Sequence, residues 1–132
     1  MTVRLGTDLV SVTRLAGLVD RHGQRFRDRI LTQREQAICG QDVRRLAGRF
    51  AGKEAVSKAL GTGIGRLGIG FRDIEIDCDP LGAPFVRLHG AARLRFEALG
   101  GQDLMISLTH EDEMALAFCV LTLQGKGDKA HG

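Results

Sequence analysis

The chain has 132 residues, of which 43% are hydrophobic and 27% are charged. Since a domain typically takes about 100–200 residues, this length favours one domain over residues 1–123 and excludes a two-domain cofactor enzyme. The longest apolar run, 114–121, is too short to span a bilayer as a helix, and no secretory signal is visible at the N-terminus. We therefore expect a globular protein of the cytoplasm.

Charge is distributed unevenly along the chain, whose formal net charge is +3. Residues 1–49 contain ten arginines against five acidic residues, whereas the remainder contains nine basic and eleven acidic residues. This asymmetry indicates an acidic partner for the N-terminal third, either a nucleic acid or an acidic protein, with a merely solvated surface as the alternative. The three cysteines are widely spaced and match neither a disulfide framework nor a zinc site.

The first predicted element is a strand over residues 3–12. Its period of two places Gly6, Asp8, Val10 and Val12 on one face. The carboxylate of Asp8 then lies among apolar neighbours. Because an unpaired buried carboxylate is costly, this position calls for a cation nearby.

Three helices are predicted to follow this strand. The first is capped by Thr13 and ended by Gly23. The second spans 32–39 and opens with a Thr-Gln-Arg-Glu capping box. The third and longest spans 42–60, with an aspartate cap at its start and Gly61 at its end.

The second half of the chain is predicted to be rich in strands. Turn residues separate short alternating segments, and the last residues, 124–132, form a polar, glycine-rich tail expected to be disordered. The predicted elements are a hairpin of strands 74–78 and 84–88, a helix over 91–99, and strands 104–109 and 114–123. Strands and helices do not alternate regularly, so the predicted class is α+β.

A glycine-rich segment over residues 61–70 contains a formal match to the dinucleotide-binding fingerprint. That fingerprint requires a strand before it and a helix after it, whereas here a helix precedes and a strand follows. A Rossmann fold is therefore disfavoured. The backbone amides of the loop could still cradle a phosphate.

Glu54 and Lys58 stand one turn apart on the longest predicted helix. An ordinary surface salt bridge is the simplest interpretation. However, small residues surround both charges and permit another element to approach closely, which would place Glu54 in a crevice. Asp8 and Glu54 together could hold Mg²⁺, which commonly takes one or two protein carboxylates and fills its shell with water and substrate phosphate.

His110 ends an apolar strand in the stretch Ser-Leu-Thr-His. A structural role is the ordinary expectation for a histidine at such a position. Beside a phosphate group, the same imidazole can donate a hydrogen bond or titrate near neutral pH.

Four motifs, taken in order, resemble the holo-acyl-carrier-protein synthases, the small 4′-phosphopantetheinyl transferases. They are Gly6-Thr-Asp8, RILTQRE at 29–35, LAGRFAGKEAVSKALGTG at 46–63 and SLTH at 107–110. The resemblance covers residues 3–123. The second and third motifs together are highly specific.

This resemblance implies transfer of 4′-phosphopantetheine from coenzyme A to a serine of apo-acyl carrier protein, with release of adenosine 3′,5′-bisphosphate, in support of fatty acid biosynthesis. It implies a 4′-phosphopantetheinyl transferase-like fold, with a small antiparallel sheet packed on one long helix and shorter helices. The resemblance also implies a homotrimer with active sites at the subunit interfaces. The implied metal is Mg²⁺, with Mn²⁺ as the alternative.

The resemblance also implies roles for individual residues. Asp8 and Glu54 match the Mg²⁺ ligands, and Lys58 matches the basic group at the diphosphate, so these three are the predicted catalytic residues. Glu54 is also a candidate general base for the serine proton. The predicted coenzyme A site comprises Lys58, Gly61, Thr62, Gly63, Ser107, Thr109 and His110. The predicted carrier-docking residues are Arg14, Arg21 and Arg25.

One departure from the family concerns the acidic turn Glu111-Asp112-Glu113, where members carry fewer acids, so no role is assigned to it. Two other functional classes stay open at the level of sequence. A small arginine-rich module could grip nucleic acid through its phosphates, with salt-dependent affinity and no reaction with coenzyme A. An inert assembly subunit would show neither property.

Overall fold

The computed structural model describes residues 2–125 and has an α+β architecture of five strands and four helices in the described residues. In chain order the elements are β1 (Thr2–Ser11), α1 (Val12–Ile30), α2 (Gln33–Cys39), α3 (Val43–Ala59), β2 (Ile74–Cys78), β3 (Pro84–Leu88), α4 (Gly90–Ala98), β4 (Gly101–Glu111) and β5 (Met114–Leu123). Two short 3₁₀ turns, Arg66–Gly68 and Phe71–Asp73, lie between α3 and β2. The predicted tail lies, from residue 126 onward, outside the described residues.

The strands form two separate antiparallel sheets. The larger sheet has the order β1-β5-β4, and β2 pairs only with β3 in a hairpin. On β5 the residues Ala115, Ala117, Cys119 and Leu121 are buried, and β1 contributes buried Val10 to the same face. Helix α3 packs across this inner face, so the core lies between the sheet and the helix.

Local capping signals explain where α2 and α3 begin. The Thr32 side chain accepts a hydrogen bond from the Glu35 amide, and the Glu35 carboxylate accepts one from the Thr32 amide, which completes the predicted capping box. Asp42 caps α3 through the amides of Arg44 and Arg45. Both predicted starts are confirmed.

The predicted start of the first helix was wrong, whereas the predicted stop at Gly23 coincides with a break in the helical backbone. Ser11 rather than Thr13 caps α1, and Val12 is therefore the first helical residue and not part of the strand. Gly23, with φ of 56° and ψ of −135°, has a non-helical backbone, so the helix is interrupted at the predicted stop before a second helical segment follows. That segment continues to Ile30, which is buried in the core.

The described cysteines are all free, as predicted. Cys39 and Cys119 are buried, and burial raises the pKa of the Cys119 thiol to about 12. A thiol held protonated in this way is a poor nucleophile and a poor metal ligand. Among residues 2–125 no helix is long and apolar enough to cross a membrane.

Candidate active site

The candidate site rests on a close contact between β1 and α3. Gly6 faces the helix at a point where an added Cβ would lie 1.8 Å from the carbonyl oxygen of Ala55 and 2.9 Å from the amide nitrogen of Ala59. Since no side chain fits in that space, only glycine lets strand and helix come this close. Asp8 lies two residues further along β1 on the same face and is thereby held beside α3.

Lys58 extends from α3 back to β1. Its Nζ donates to Oδ1 of Asp8 at 3.2 Å and to the backbone carbonyl of Thr7 at 3.0 Å. The ordinary interpretation of Lys58 as the surface partner of Glu54 is therefore wrong, because its ammonium group bridges two elements instead. The side chain of Lys58 stays half exposed, so its ammonium can also contact an anion from solvent.

Glu54 is half-buried beside this pair, one turn before Lys58. Burial raises the pKa of its carboxyl, and the nearby carboxylate of Asp8 raises it further, while Lys58 and Arg14 act in the opposite direction. Within the described part of the chain its carboxylate accepts no hydrogen bond. Glu54 is thus a carboxylate with free oxygen atoms next to a second carboxylate.

This pair has the donor chemistry that Mg²⁺ prefers. Mg²⁺ is commonly bound through one or two carboxylates and keeps water or substrate phosphate in its remaining positions. No group of three or more His, Cys, Asp or Glu side chains suited to a metal occurs among residues 2–125. A cation at this place would therefore depend on Asp8 and Glu54 and on ligands from outside the chain.

The loop that follows α3 begins one turn after Lys58. Gly61 and Gly63 have positive φ values of 83° and 67°, which glycine adopts without strain. The amide of Gly61 donates to the carbonyl of Lys58, and the amides of Thr62 and Gly63 both donate to that of Ser57. These amides are thus occupied, and a phosphate cradle built from them is not supported.

Ser107, Thr109 and His110 lie on β4, two strands away from Asp8. Asp8 pairs with Ala117 on β5, which in turn pairs with Leu108. Two strand spacings separate Asp8 from this segment by about 10 Å. Ser107 and Thr109 are exposed on the outer face of the sheet, whereas Nε2 of His110 lies 2.9 Å from the carbonyl oxygen of Arg44, in the first turn of α3.

The two halves of the predicted coenzyme A site are consequently far apart within one chain. His110 lies at the beginning of α3, and Gly61–Gly63 follow its end. A helix of 17 residues is about 25 Å long. One chain therefore joins Asp8, Glu54, Lys58 and the 61–63 loop, but does not bring His110 to them.

The three predicted docking arginines are exposed on α1. Arg14 and Arg21 are seven residues apart and so lie on the same side of the helix. The guanidinium of Arg14 lies 5.9 Å from the centroid of the Phe50 ring. Phe50 is on α3, four residues before Glu54. Arg25 comes after the kink at Gly23 and is also exposed.

The sequence analysis missed a buried ion pair that supports the site. Nζ of Lys53 lies 2.6 Å from Oε1 of Glu35, and both side chains are fully buried. Lys53 also donates to the carbonyls of Phe71 and Ile74, and Glu35 accepts from the amide of Ile76. Burial lowers the pKa of Lys53, while Glu35 opposes that shift.

This pair ties α2 and β2 to α3 at the residue that precedes Glu54. One signal in the sequence could have found it. Glu35 belongs to the capping box of α2, which fixes the place of its carboxylate. Lys53 lies among small residues, and such a stretch of a long helix is buried on several sides, so its charge needs a partner.

Comparison with known proteins places this arrangement in context. The family model of the 4′-phosphopantetheinyl transferase superfamily matches residues 4–119. The holo-[acyl-carrier-protein] synthase of Alkalilimnicola ehrlichii is 46% identical over 125 residues, covering 92% of this chain and 97% of that protein. That of Shewanella amazonensis is 48% identical over 120 residues, covering 89% and 95%.

Solved structures with the same fold carry the same name. The holo-[acyl-carrier-protein] synthase of Helicobacter pylori, in complex with coenzyme A, superposes with a TM-score of 0.82 at 35% identity, covering 89% of this chain and 99% of that one. The enzyme of Neisseria meningitidis superposes with a TM-score of 0.83 at 40% identity, covering 90% and 97%.

Proposed function

The chain belongs to the 4′-phosphopantetheinyl transferase superfamily, and we infer that it transfers 4′-phosphopantetheine from coenzyme A to a serine of apo-acyl carrier protein. The observation that carries this inference is the convergence of Asp8, Glu54 and Lys58 at the contact between β1 and α3. It occurs in a chain that matches holo-[acyl-carrier-protein] synthases over nearly its whole length. The alternative of a nucleic-acid-binding module has no comparable support.

In this reaction the protein forms no covalent bond to the substrate, and its main contribution is to stabilise charge. The serine hydroxyl gives up its proton to a base, for which Glu54 is the candidate, as its oxygen bonds to the phosphorus that carries the pantetheine. The bond from that phosphorus to the bridging oxygen breaks, and adenosine 3′,5′-bisphosphate leaves with the electron pair. Negative charge grows on the transferred and departing phosphates. The half-exposed ammonium of Lys58 is placed to stabilise that charge electrostatically.

Mg²⁺ fits the two carboxylates of Asp8 and Glu54, and when bound it would neutralise diphosphate charge there. The protein's own part is to hold those carboxylates together despite their repulsion. The close contact at Gly6 does this for Asp8, and the helical backbone of α3 does it for Glu54. The further role of Glu54 as general base for the serine proton stays a prediction.

A homotrimer is the assembly that we propose for this chain. The outer face of the larger sheet exposes apolar side chains, which need cover from another surface. They are Val3, Leu5, Leu9, Met105, Met114, Leu116 and Phe118. A second copy on this face would also supply its own Ser107, Thr109 and His110 to a site that one chain leaves incomplete.

The test of the transferase function is a mass measurement. Purified protein is incubated with coenzyme A, Mg²⁺ and an apo-acyl carrier protein, and we expect the carrier to gain the mass of one phosphopantetheine group. A carrier with alanine in place of its modifiable serine is the matched control and should gain nothing. No gain by the intact carrier would contradict the proposed function.

The exposed arginines of α1 support docking of the acidic carrier. Reversing Arg14 and Arg21 to glutamate should raise the KM for carrier about tenfold or more at low salt and leave the KM for coenzyme A nearly unchanged. The defect should shrink at high salt, because exposed charges are screened. Arg25→Glu, tested separately, should act in the same direction.

Steady-state kinetics with both substrates at two salt concentrations measure this effect. Arg93→Glu on α4 is the control, since that arginine is exposed but pairs with Glu97 away from α1. An equal loss for coenzyme A and carrier would mean that α1 supports the active site and does not dock the carrier.

A further inference from the structure

The acidic turn between β4 and β5 contacts the first turn of α1. Glu111 pairs with Met114 in the sheet, so the turn consists of Asp112 and Glu113. Asp112 adopts a positive φ of 50°, a conformation that aspartate tolerates better than most residues. This geometry directs the chain at Glu113 toward the junction of β1 and α1.

Two hydrogen bonds join Glu113 to the start of α1. Its backbone carbonyl accepts from the amide of Val12 at 2.7 Å, and Oε2 of its side chain accepts from Oγ1 of Thr13 at 2.8 Å. The first turn of α1 contains no acidic residue of its own. Glu113 therefore supplies the negative charge that favours a helix N-terminus, from a different part of the fold.

Arg14 follows directly after these two anchored residues. Its own amide donates to Oγ of the cap residue Ser11 at 3.1 Å, and its guanidinium lies over the ring of Phe50. No loop separates β1 from α1, so the direction of the helix is set at this junction. Releasing Glu113 would let the first turn fray and would loosen the position of Arg14.

We propose that Glu113 is a positioning residue for carrier docking, which it serves by clamping the first turn of α1 so that Arg14 is presented in a fixed place. The proposal rests on the proposed function and on docking at α1. It gives a role to one of the three consecutive acidic residues, 111–113, that lie at this end of the β4–β5 hairpin, close to the proposed docking surface for an acidic partner. Charge alone would make that turn unfavourable, because it repels the carrier.

The experiment compares two variants that each remove one negative charge, from Glu113 in the turn and from Glu111 at the end of β4. Glu113→Ala should raise the KM for carrier about three- to tenfold, the range expected when a single hydrogen bond is lost, with the KM for coenzyme A unchanged. Glu111→Ala removes a charge without breaking a side-chain hydrogen bond of the described residues, so it should leave the KM for carrier unchanged or lower it. Glu113→Gln keeps an acceptor oxygen and should restore most of the affinity.

Thr13→Val removes the same hydrogen bond from the helix side and should also raise the KM for carrier, and in its presence Glu113→Ala should add less than it does alone. If Glu113→Ala folds poorly, as judged from its Tm, the Thr13→Val result decides. Equal shifts for Glu111→Ala and Glu113→Ala, or equal losses for both substrates, would overturn the proposal. A wild-type protein that never modifies the carrier would instead overturn the proposed function.

Discussion

At the scale of the single residue, the surroundings of Glu54 disfavour the charged form of its carboxyl. Its carboxyl is half-buried and lies near the carboxylate of Asp8, and both influences raise its pKa. Lys58, which could neutralise it, donates instead to Asp8 and Thr7. Glu54 is therefore a carboxylate whose charged form is disfavoured where it lies, and a cation bound beside it would relieve that cost.

Replacing either carboxylate by its amide should abolish transfer and keep the fold. Glu54→Gln and Asp8→Asn preserve shape but lose the charge that a hard divalent cation requires, and we expect kcat to fall by about 100-fold or more. Steady-state assays at saturating Mg²⁺ measure the loss. Glu97→Gln, which alters an exposed carboxylate on α4, should be silent. Full activity of Glu54→Gln would remove the metal site from the proposal.

The raised pKa of Glu54 also predicts how stability depends on pH. Because the folded state holds this proton more tightly than the unfolded state, ionisation of Glu54 costs stability as the pH rises from about 4.5 through the higher folded pKa. Without metal, Glu54→Gln should therefore have a higher Tm than the wild type at pH 7.5, and the difference should vanish at pH 4.

Thermal unfolding with and without Mg²⁺ completes this test. Added Mg²⁺ should raise the Tm of the wild type at pH 7.5, because it binds only the folded protein, and should leave that of Glu54→Gln unchanged. An equal rise in both proteins would show that the ion binds elsewhere.

At the scale of the elements, the site is produced by how closely β1 and α3 approach each other. Ala55 and Ala59 present small side chains on the helix, and Gly6 presents none on the strand. The buried pair of Lys53 and Glu35 fixes α3 from its other side. Removing one partner of such a pair leaves an uncompensated buried charge, so both residues are needed to keep the helix in place.

Gly6→Ala tests this contact directly. The new Cβ would meet a backbone oxygen that cannot move aside like a flexible side chain, so β1 must shift away from α3. We expect a loss of about 3 kcal/mol in the free energy of unfolding, together with a loss of activity. Denaturant titration measures the loss.

The matched control is Gly17→Ala on α1. A Cβ there meets no atom within 4 Å, and the substitution should stabilise the helix by about 0.5–1 kcal/mol. If both substitutions had the same effect on stability, the close contact would not be what holds Asp8 beside α3.

At the scale of the whole molecule, the described residues cover only one face of the larger sheet. Helix α3 lies on the inner face, while Leu5, Leu9 and Phe118 on the outer face are 59%, 60% and 44% exposed. Large exposed apolar patches are uncommon on monomers, which supports the proposal that this face is the interface between subunits.

Phe118→Glu should therefore disrupt the assembly. A charge in the centre of the proposed interface cannot be desolvated cheaply, so sedimentation equilibrium should return the trimer mass for the wild type and a lower mass for the variant. Transfer activity should fall with it. Leu81→Glu, at a residue that is 95% exposed in the β2–β3 turn, should change neither. A wild-type monomer with full activity would contradict the interface site.

Signals that act over a few residues were sufficient to predict much of this protein from its sequence. The capping box at Thr32 and the aspartate cap at Asp42 operate within one helical turn, so the starts of α2 and α3 could be predicted without knowing the fold. Strand alternation placed Asp8 with Gly6 on one face in the same way. The family motifs indicated the reaction, and the match to holo-[acyl-carrier-protein] synthases over most of the chain supports it.

Only the tertiary structure decided which of these side chains meet. Lys58 contacts Asp8 across two elements, and Lys53 pairs with Glu35, which is 18 residues away. Helix α1 resumes after the break at Gly23 and reaches buried Ile30, and His110 is separated from the loop after α3 by the length of that helix. Each outcome depends on packing between segments distant in the chain, where burial outweighs the local preference that a sequence displays.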